Sequence, residues 1–210
     1  MKLMEQYISG LPKANWILQK SGLPWLKLQI KTPFDEILSE WENVKHLSVN
    51  HREADQFYNL KNKGWKSLTL YGASSTTTEK TNEKYDWTEI ASHCPKTINW
   101  IKENFIIDGD TGRIRFMLLE PNGYILPHKD TNERGLFPIN VAISQPENCY
   151  FKFGNYGVIP FKNGESYLID TSYEHAVYNK SNSERLHIIL HTKINEKIVE
   201  KSYATCYHNI

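Results

Sequence analysis

The sequence predicts a mainly β protein with flanking helices, built as a double-stranded β-helix of the jelly-roll, cupin-like kind. From residue 113 onward apolar and polar residues alternate with a period of two, as in half-buried strands. Turn-forming residues divide this region into about eight short segments at regular spacing, which is typical of a jelly roll. The predicted strands are 113–120, 124–128, 136–144, 149–153, 158–161, 165–170, 174–179 and 184–192.

Helical patterns come before the strands, so we expect the helices to cover one side of the roll. Thr32 and Pro33 predict a helix start, with the hydroxyl as N-cap and proline at the first helical position, and the helix runs to about His46. A second helix is predicted over 95–104. Residues 65–71 alternate as a strand that ends at Gly72.

The division of the chain follows from these patterns. We predict a single domain over 1–210, with a helical flank and first strands in 1–111, a jelly-roll core carrying a metal site in 112–192, and a C-terminal extension in 193–210. Residues 1–31 have no clear periodicity and receive no assignment.

Charge and hydropathy exclude some partners. The chain has 25 basic and 24 acidic residues, a net charge of +1 and no block of one sign, so we expect neither a nucleic acid nor an anionic membrane as partner. No apolar run approaches membrane-spanning length. The expected partner is a small-molecule or peptide substrate, and the sequence does not indicate an oligomeric state.

The three cysteines are scattered, and none forms a Cys-x-x-Cys pair. They are typical of reduced thiols, so we expect a cytoplasmic protein without a disulfide framework.

Three residues form a candidate metal site. His128 and Asp130 stand two apart at the end of a predicted strand, so their side chains point to the same face. His175 comes from a later strand that returns to the same end of the roll. Two imidazoles and one carboxylate suit ferrous iron, because they leave coordination positions open for other ligands.

Arg185 follows His175 by ten residues, across a predicted turn at 180–183. The strand 184–192 places Arg185, His187, Ile189 and His191 on one face and three aliphatic residues on the other. If the aliphatic face packs against the helices, the polar face lines the cavity. A buried arginine there needs an anionic partner, and its planar fork matches a carboxylate.

Other polar groups are ambiguous. His51 also stands two before a carboxylate, but it lies in a polar segment without a strand pattern, so we expect a solvated surface residue. The polar segment 72–86 is either an active-site lid or a surface loop. Arg115 and Arg134 could each meet a substrate carboxylate or solvent.

Two blocks of sequence resemble the aspartyl/asparaginyl β-hydroxylase family of iron(II)- and 2-oxoglutarate-dependent dioxygenases, which includes free-proline hydroxylases. The first block is Gly112-Arg113-Ile114-Arg115 leading into Glu120-Pro121-Asn122-Gly123-Tyr124-Ile125-Leu126-Pro127-His128-Lys129-Asp130. The second is Leu168-Ile169-Asp170-Thr171-Ser172-Tyr173-Glu174-His175-Ala176-Val177-Tyr178-Asn179, followed by Glu184-Arg185-Leu186-His187.

The resemblance implies a set of roles. His128, Asp130 and His175 would bind Fe(II), and Arg185 would bind the distal carboxylate of 2-oxoglutarate, which is consumed with O2 while a C–H bond of the substrate is hydroxylated. The presence of Asp130 favours hydroxylation over halogenation, since no site is left for chloride. The family's residues for the second cosubstrate carboxylate have no clean match here, and Asn140 and His187 are candidates that could equally be structural.

The predicted activity is hydroxylation of an amino acid or of a peptidyl side chain. An alternative is a non-catalytic, cupin-like module that binds a small carboxylate ligand. A zinc hydrolase would also need an open metal site, but it gives no reason for Arg185.

Overall fold

The computed structural model describes residues 16–52, 62–78, 83–109, 111–131 and 135–203. Four α-helices and eleven strands occur in this part of the chain. The helices are α1 Trp16–Ser21, α2 Phe34–Val44, α3 Pro95–Asn104 and α4 Glu196–Tyr203. The strands are β1 Trp25–Leu28, β2 Val49–Asn50, β3 Asn62–Gly72, β4 Asp86–Trp87, β5 Ile114–His128, β6 Phe137–Ser144, β7 Cys149–Phe153, β8 Gly157–Val158, β9 Ser166–Ile169, β10 His175–Asn179 and β11 Arg185–Thr192.

The strands form an antiparallel jelly roll, as predicted. Their order is β1-β9-β6-β11-β5-β10-β7-β8, and β3 pairs with β2, β4 and β5. The first half of β5 lies between β11 and β3, whereas its last residues pair with β10, so this strand belongs to both sides of the roll. That register places His128 opposite His175.

A single strand runs through residues 114–128, where the sequence predicted two strands and a turn at 121–123. Asn122 takes a positive φ of 57°, and the pairing with β3 shifts register between Lys63 and Trp65. Gly123 fits because a Cβ there would lie 2.8 Å from the carbonyl oxygens of Glu120 and Lys63. The turn residues therefore form a bulge within a continuous strand.

The helical layer covers one side of the roll, as predicted. Leu186, Ile188 and Leu190 of β11 belong to one apolar cluster with α2 and α3. In that cluster the rings of Trp41 and Phe116 have centroids 5.1 Å apart. The opposite face of the same strands is left for polar groups.

The start of α2 differs from the prediction. The helix begins at Phe34, and Pro33 occupies the cap position with ψ at 64°, without a side-chain cap hydrogen bond. The Thr32 hydroxyl is buried and has no hydrogen-bond partner among the described residues. Proline restricts the residue before it to extended conformations, which places Thr32 outside the helix.

Glu40 of α2 instead caps the next helix. Its carboxylate accepts hydrogen bonds from the backbone N–H groups of Lys96 and Thr97 and from the Thr97 hydroxyl, at 2.8, 2.9 and 2.6 Å. A carboxylate at a helix N-terminus satisfies free N–H groups and the helix dipole, so Glu40 fixes α3 against α2.

Strand β1 falls in the region that received no assignment. It pairs with β9, with Trp25 opposite Ile169, and Trp25 packs on Phe153 at 5.5 Å between ring centroids. Four residues carry too little periodic signal, so only the tertiary contact reveals this strand. In the described ranges, no helix is long and apolar enough to cross a membrane.

Candidate active site

A cavity of about 970 Å³ opens between the two sides of the roll. Inward-facing residues of β3, β5, β6, β10 and β11 line it. Its volume lies at the upper end of the range for small-molecule sites, which allows room for two small ligands.

Two histidines meet at one wall of the cavity. The rings of His128 and His175 have centroids 4.3 Å apart. The Nδ1 atom of His128 lies 2.8 Å from the Leu126 carbonyl oxygen, and that of His175 lies 2.9 Å from the Tyr173 carbonyl oxygen. Since a carbonyl only accepts, each Nδ1 carries the proton and each Nε2 keeps its lone pair for a metal.

The same bonds fix the direction of both rings, as a metal site requires. Burial and the neighbouring His128 lower the pKa of His175, so this imidazole is neutral at pH 7. Backbone carbonyls therefore orient both rings.

Asp130 completes the group. Its carboxylate oxygens lie 3.7 Å from His128 Nε2 and 4.0 Å from His175 Nε2. One ligand atom from each of the three residues lies within 4.8 Å of the others. The Asp130 backbone N–H donates to the Thr171 carbonyl oxygen at 2.9 Å, which holds the residue beside the turn that precedes β10.

The three groups fit a divalent metal. Metal ligands at about 2.0–2.2 Å from an ion lie roughly 3–4 Å from each other, and the observed spacing needs only a small shift of the half-exposed Asp130 side chain. Two nitrogens and one carboxylate on one side of an ion form the two-histidine, one-carboxylate set of non-haem iron enzymes.

Arg185 lies in the same cavity and is 3% exposed. Burial lowers the pKa of its guanidinium to about 10, so it stays charged at pH 7. Among the described residues, no carboxylate oxygen lies within 4.0 Å of the Arg185 guanidinium, the distance that defines an ion pair. A buried, unpaired cation is unfavourable, so this position fits an anionic ligand.

His187 holds Arg185 in place. The Arg185 Nη2 atom donates to His187 Nδ1 at 2.8 Å, and His187 Nε2 donates to the Gln145 amide oxygen at 2.9 Å. The Gln145 amide nitrogen donates in turn to the Cys149 carbonyl oxygen. Burial and then the Arg185 charge hold the pKa of His187 well below its usual value, so its ring is neutral.

Of the two roles that the sequence leaves open for His187, these contacts favour the structural one. It is fully buried and both ring nitrogens are used by protein groups, so it does not reach a ligand directly. Asn140 does line the cavity, and its Oδ1 atom is buried without a hydrogen-bond partner among the described residues.

His51 lies in the cavity wall, and its prediction as a solvated surface residue was wrong. It is 6% exposed, its ring packs on Trp65 at 4.1 Å between centroids, and its Nδ1 atom lies 3.0 Å from Ser67 Oγ. Its Nε2 atom lies 3.4 Å from Arg115 Nη1. No local pattern marks this role, because its partners come from β3 and β5.

Arg115 is buried in the cavity wall. The sequence left open whether this side chain meets solvent or a substrate carboxylate, and its burial excludes solvent. Arg134 lies outside the described residues, as does part of the 72–86 segment. Glu83, Lys84 and Tyr85 of that segment line the cavity.

The family model for aspartyl/asparaginyl β-hydroxylases matches residues 31–193, which is more than three quarters of the chain. The chain belongs to this family. As a member it is a 2-oxoglutarate-dependent hydroxylase, and its cofactors are Fe(II), 2-oxoglutarate and O2. No curated protein matches the chain significantly.

Solved structures share the fold at low identity. A prolyl-4-hydroxylase from Pseudomonas putida is 12% identical with a TM-score of 0.51, over 87% of this chain and 100% of that one. A prolyl hydroxylase from Trichoplax adhaerens, solved with a peptide fragment of the hypoxia inducible factor oxygen degradation domain, is 14% identical with a TM-score of 0.53, over 96% of both chains. The carbocyclase SnoK from nogalamycin biosynthesis is 10% identical with a TM-score of 0.55, over 89% of this chain and 85% of that one.

Proposed function

We propose that this hydroxylase binds Fe(II) through His128, Asp130 and His175 and inserts oxygen into a C–H bond of an amino acid or a peptidyl side chain. The observation that carries the proposal is the convergence of two free Nε2 lone pairs and a carboxylate on one wall of the cavity. The family's description, hydroxylation at the β carbon of aspartyl and asparaginyl residues, supports this substrate class.

Bound Fe(II) would supply the oxidising chemistry, in which O2 and 2-oxoglutarate give succinate and CO2 while one oxygen atom enters the substrate C–H bond. The protein groups bind and orient. Arg185 is proposed to bind the distal carboxylate of 2-oxoglutarate through a charge-assisted pair. We assign His187 to positioning of Arg185, since it reaches the cosubstrate only through that guanidinium.

Asn140 is proposed to contact the cosubstrate directly. Asn140 lines the cavity, and its amide nitrogen can donate to a carboxylate or keto oxygen. Apolar neighbours such as Met117, Ile125 and Val177 line the same space and exclude water from the ligands.

Two further predictions from the sequence stay part of the proposal. We propose a single domain over residues 1–210 and a cytoplasmic location. Cys94 and Cys149 are free, buried thiols, which agrees with a reducing compartment.

The test is succinate formation by the Fe(II)-loaded protein with 2-oxoglutarate, O2 and a screen of amino acids and short peptides. His175→Ala is expected to abolish turnover, because two ligands hold the metal poorly. Arg185→Gln should raise the KM for 2-oxoglutarate by at least about 30-fold, from a loss of roughly 2 kcal/mol for a buried charge pair. His93→Ala, an exposed histidine outside the cavity, is the matched control.

Equal activity of His175→Ala and the control would contradict the metal assignment. An unchanged KM in Arg185→Gln would contradict the role of Arg185. If the protein binds 2-oxoglutarate but releases no succinate with any substrate tested, the result would instead support a carboxylate-binding module.

A further inference from the structure

The cavity contains a second buried guanidinium. Arg115 is 5% exposed, and its Nε atom has no hydrogen-bond partner among the described residues. Burial, and then the charges of Arg113 and Arg52, hold its pKa well below the usual value. The unused donor on this buried cation makes this end of the cavity complementary to an anion.

A neutral histidine supports this arginine, as at Arg185. Arginine only donates, so His51 Nε2 accepts from Arg115 Nη1, and the His51 proton must lie on Nδ1, toward Ser67 Oγ. Burial and the Arg115 charge lower the pKa of His51 well below its ordinary value, in keeping with a neutral ring. Arg185 and Arg115 are thus each held by a fixed acceptor that carries no opposing charge.

The register of β5 and β11 separates the two arginines. Arg185 lies opposite Leu119, and Arg115 lies opposite Ile189, four positions further along the pair. At about 3.3 Å per residue the two Cα levels are roughly 13 Å apart. Met117 occupies the level between them and lines the cavity.

A five-carbon dicarboxylate has roughly half the length of that Cα separation. Its four C–C bonds of about 1.5 Å extend to roughly 6 Å at most. With its distal end on Arg185 and its other end at the metal ligands, the cosubstrate leaves Arg115 for another anion. Arg115 and the three proposed metal ligands line the same cavity, so this second anion would share that space with the metal.

We propose that Arg115, positioned by His51, binds the free carboxylate of the substrate, and that the substrate is therefore a free amino acid. This inference rests on the proposed function and specifies its substrate class. An internal peptide residue has no α-carboxylate, so unless it is an aspartyl or glutamyl residue it would leave Arg115 unpaired.

The experiment compares each of the twenty common L-amino acids with its carboxamide as a stimulator of succinate formation by the Fe(II)-loaded protein. For the amino acid that stimulates, the carboxamide should have a kcat/KM at least about 30-fold lower, the effect expected for losing a buried charge pair. Arg115→Gln should lower kcat/KM for the free acid by a similar factor and leave the carboxamide unchanged.

Equilibrium binding shows whether Arg115 binds the carboxylate of the substrate or a carboxylate of the cosubstrate. Calorimetric titration of 2-oxoglutarate into the anaerobic Fe(II)-loaded protein should give the same Kd within about threefold for wild type and Arg115→Gln, which also shows that the variant is folded. A Kd that rises in Arg115→Gln as much as in Arg185→Gln would assign Arg115 to the cosubstrate and overturn the inference.

His51 is tested as a positioning residue. His51→Leu should raise the KM for the free acid more than it lowers kcat, and His51→Gln, whose amide oxygen can accept from Arg115, should restore most of the loss. Lys162→Gln removes an exposed cation outside the cavity and is expected to behave as wild type.

Different results would contradict the free amino acid as substrate and the dioxygenase activity. If carboxamides or internal peptide residues stimulate as well as free acids, or if no free amino acid stimulates, the substrate carboxylate has no role. Binding of 2-oxoglutarate in wild type would then leave the dioxygenase assignment intact.

Discussion

Two of the buried arginines that line the cavity donate to neutral histidines. Arg185 donates to His187 and Arg115 donates to His51. A carboxylate in place of either histidine would neutralise the guanidinium and compete with an incoming anion. The histidine fixes the geometry and leaves the positive charge for a ligand.

His187 is one of the buried histidines that make the stability depend on pH. Its pKa is well below 6.5 in the folded protein, because of burial and the Arg185 charge, and returns to about 6.5 on unfolding. The unfolded chain then binds one more proton as pH falls below about 6.5. The free energy of unfolding should fall there by up to about 1.4 kcal/mol per pH unit from this residue.

Urea denaturation of wild type and His187→Gln between about pH 5 and pH 7.5 measures this term. The variant is expected to lose less stability on acidification, since it lacks the titrating ring. The same slope in both proteins would contradict a neutral, buried His187.

Some of these residues could be predicted and others could not. Local sequence indicates which way some side chains point: His128 and Asp130 stand two residues apart, and the strand containing Arg185 alternates. The structure brings these groups together with His175 in one cavity. His51 carries none, because its role depends on Arg115, which is 64 residues away. Hydrogen bonds between distant segments leave no periodic signal.

At the scale of elements, β5 joins the two ends of the cavity. It carries Arg115 near its start and His128 at its end, and the bulge at Asn122 and Gly123 lies between them. The sequence predicts a turn at this bulge, since proline, asparagine and glycine favour turns as well as bulges. Local composition cannot distinguish a turn from a bulge, because the pairing of β5 with β3 determines which of them forms.

Gly123→Ala tests the bulge. The added methyl would lie 2.8 Å from two carbonyl oxygens, so either the backbone shifts or the site is strained. We expect a loss of about 1–3 kcal/mol in the free energy of unfolding and weaker metal binding, because His128 ends the same strand.

Chemical denaturation and a metal titration measure both effects. Gly154→Ala is the control, since its Cβ would meet only an ordinary contact of 3.9 Å to the Glu174 carbonyl oxygen. Wild-type stability of Gly123→Ala would contradict the close approach.

At the scale of the whole molecule, ligands should stabilise the fold. The cavity lies between both sides of the roll, so a metal and 2-oxoglutarate bound there would contact β5, β10 and β11 together. Ligand at about one hundred times its Kd adds about 2.7 kcal/mol to the free energy of unfolding. For a chain of this size the Tm should rise by roughly 5–10 °C.

Thermal unfolding with Mn(II) and 2-oxoglutarate under argon measures this shift without turnover. His175→Ala should lose the part that depends on metal, and Arg185→Gln should lose the part that depends on 2-oxoglutarate. A full shift in both variants would place the ligands elsewhere.

The hydrogen bonds from both Nδ1 atoms to backbone carbonyls have a consequence for metal selection. They hold the Nε2 lone pairs of His128 and His175 in position before any ion arrives, so the two imidazoles bind a wrong ion as readily as the right one. Affinities of such nitrogen and oxygen donors rise from Mn²⁺ through Fe²⁺ to Ni²⁺ and Cu²⁺. The protein should therefore be inhibited by nickel, copper and zinc, and its iron content should follow the supply of each metal during synthesis.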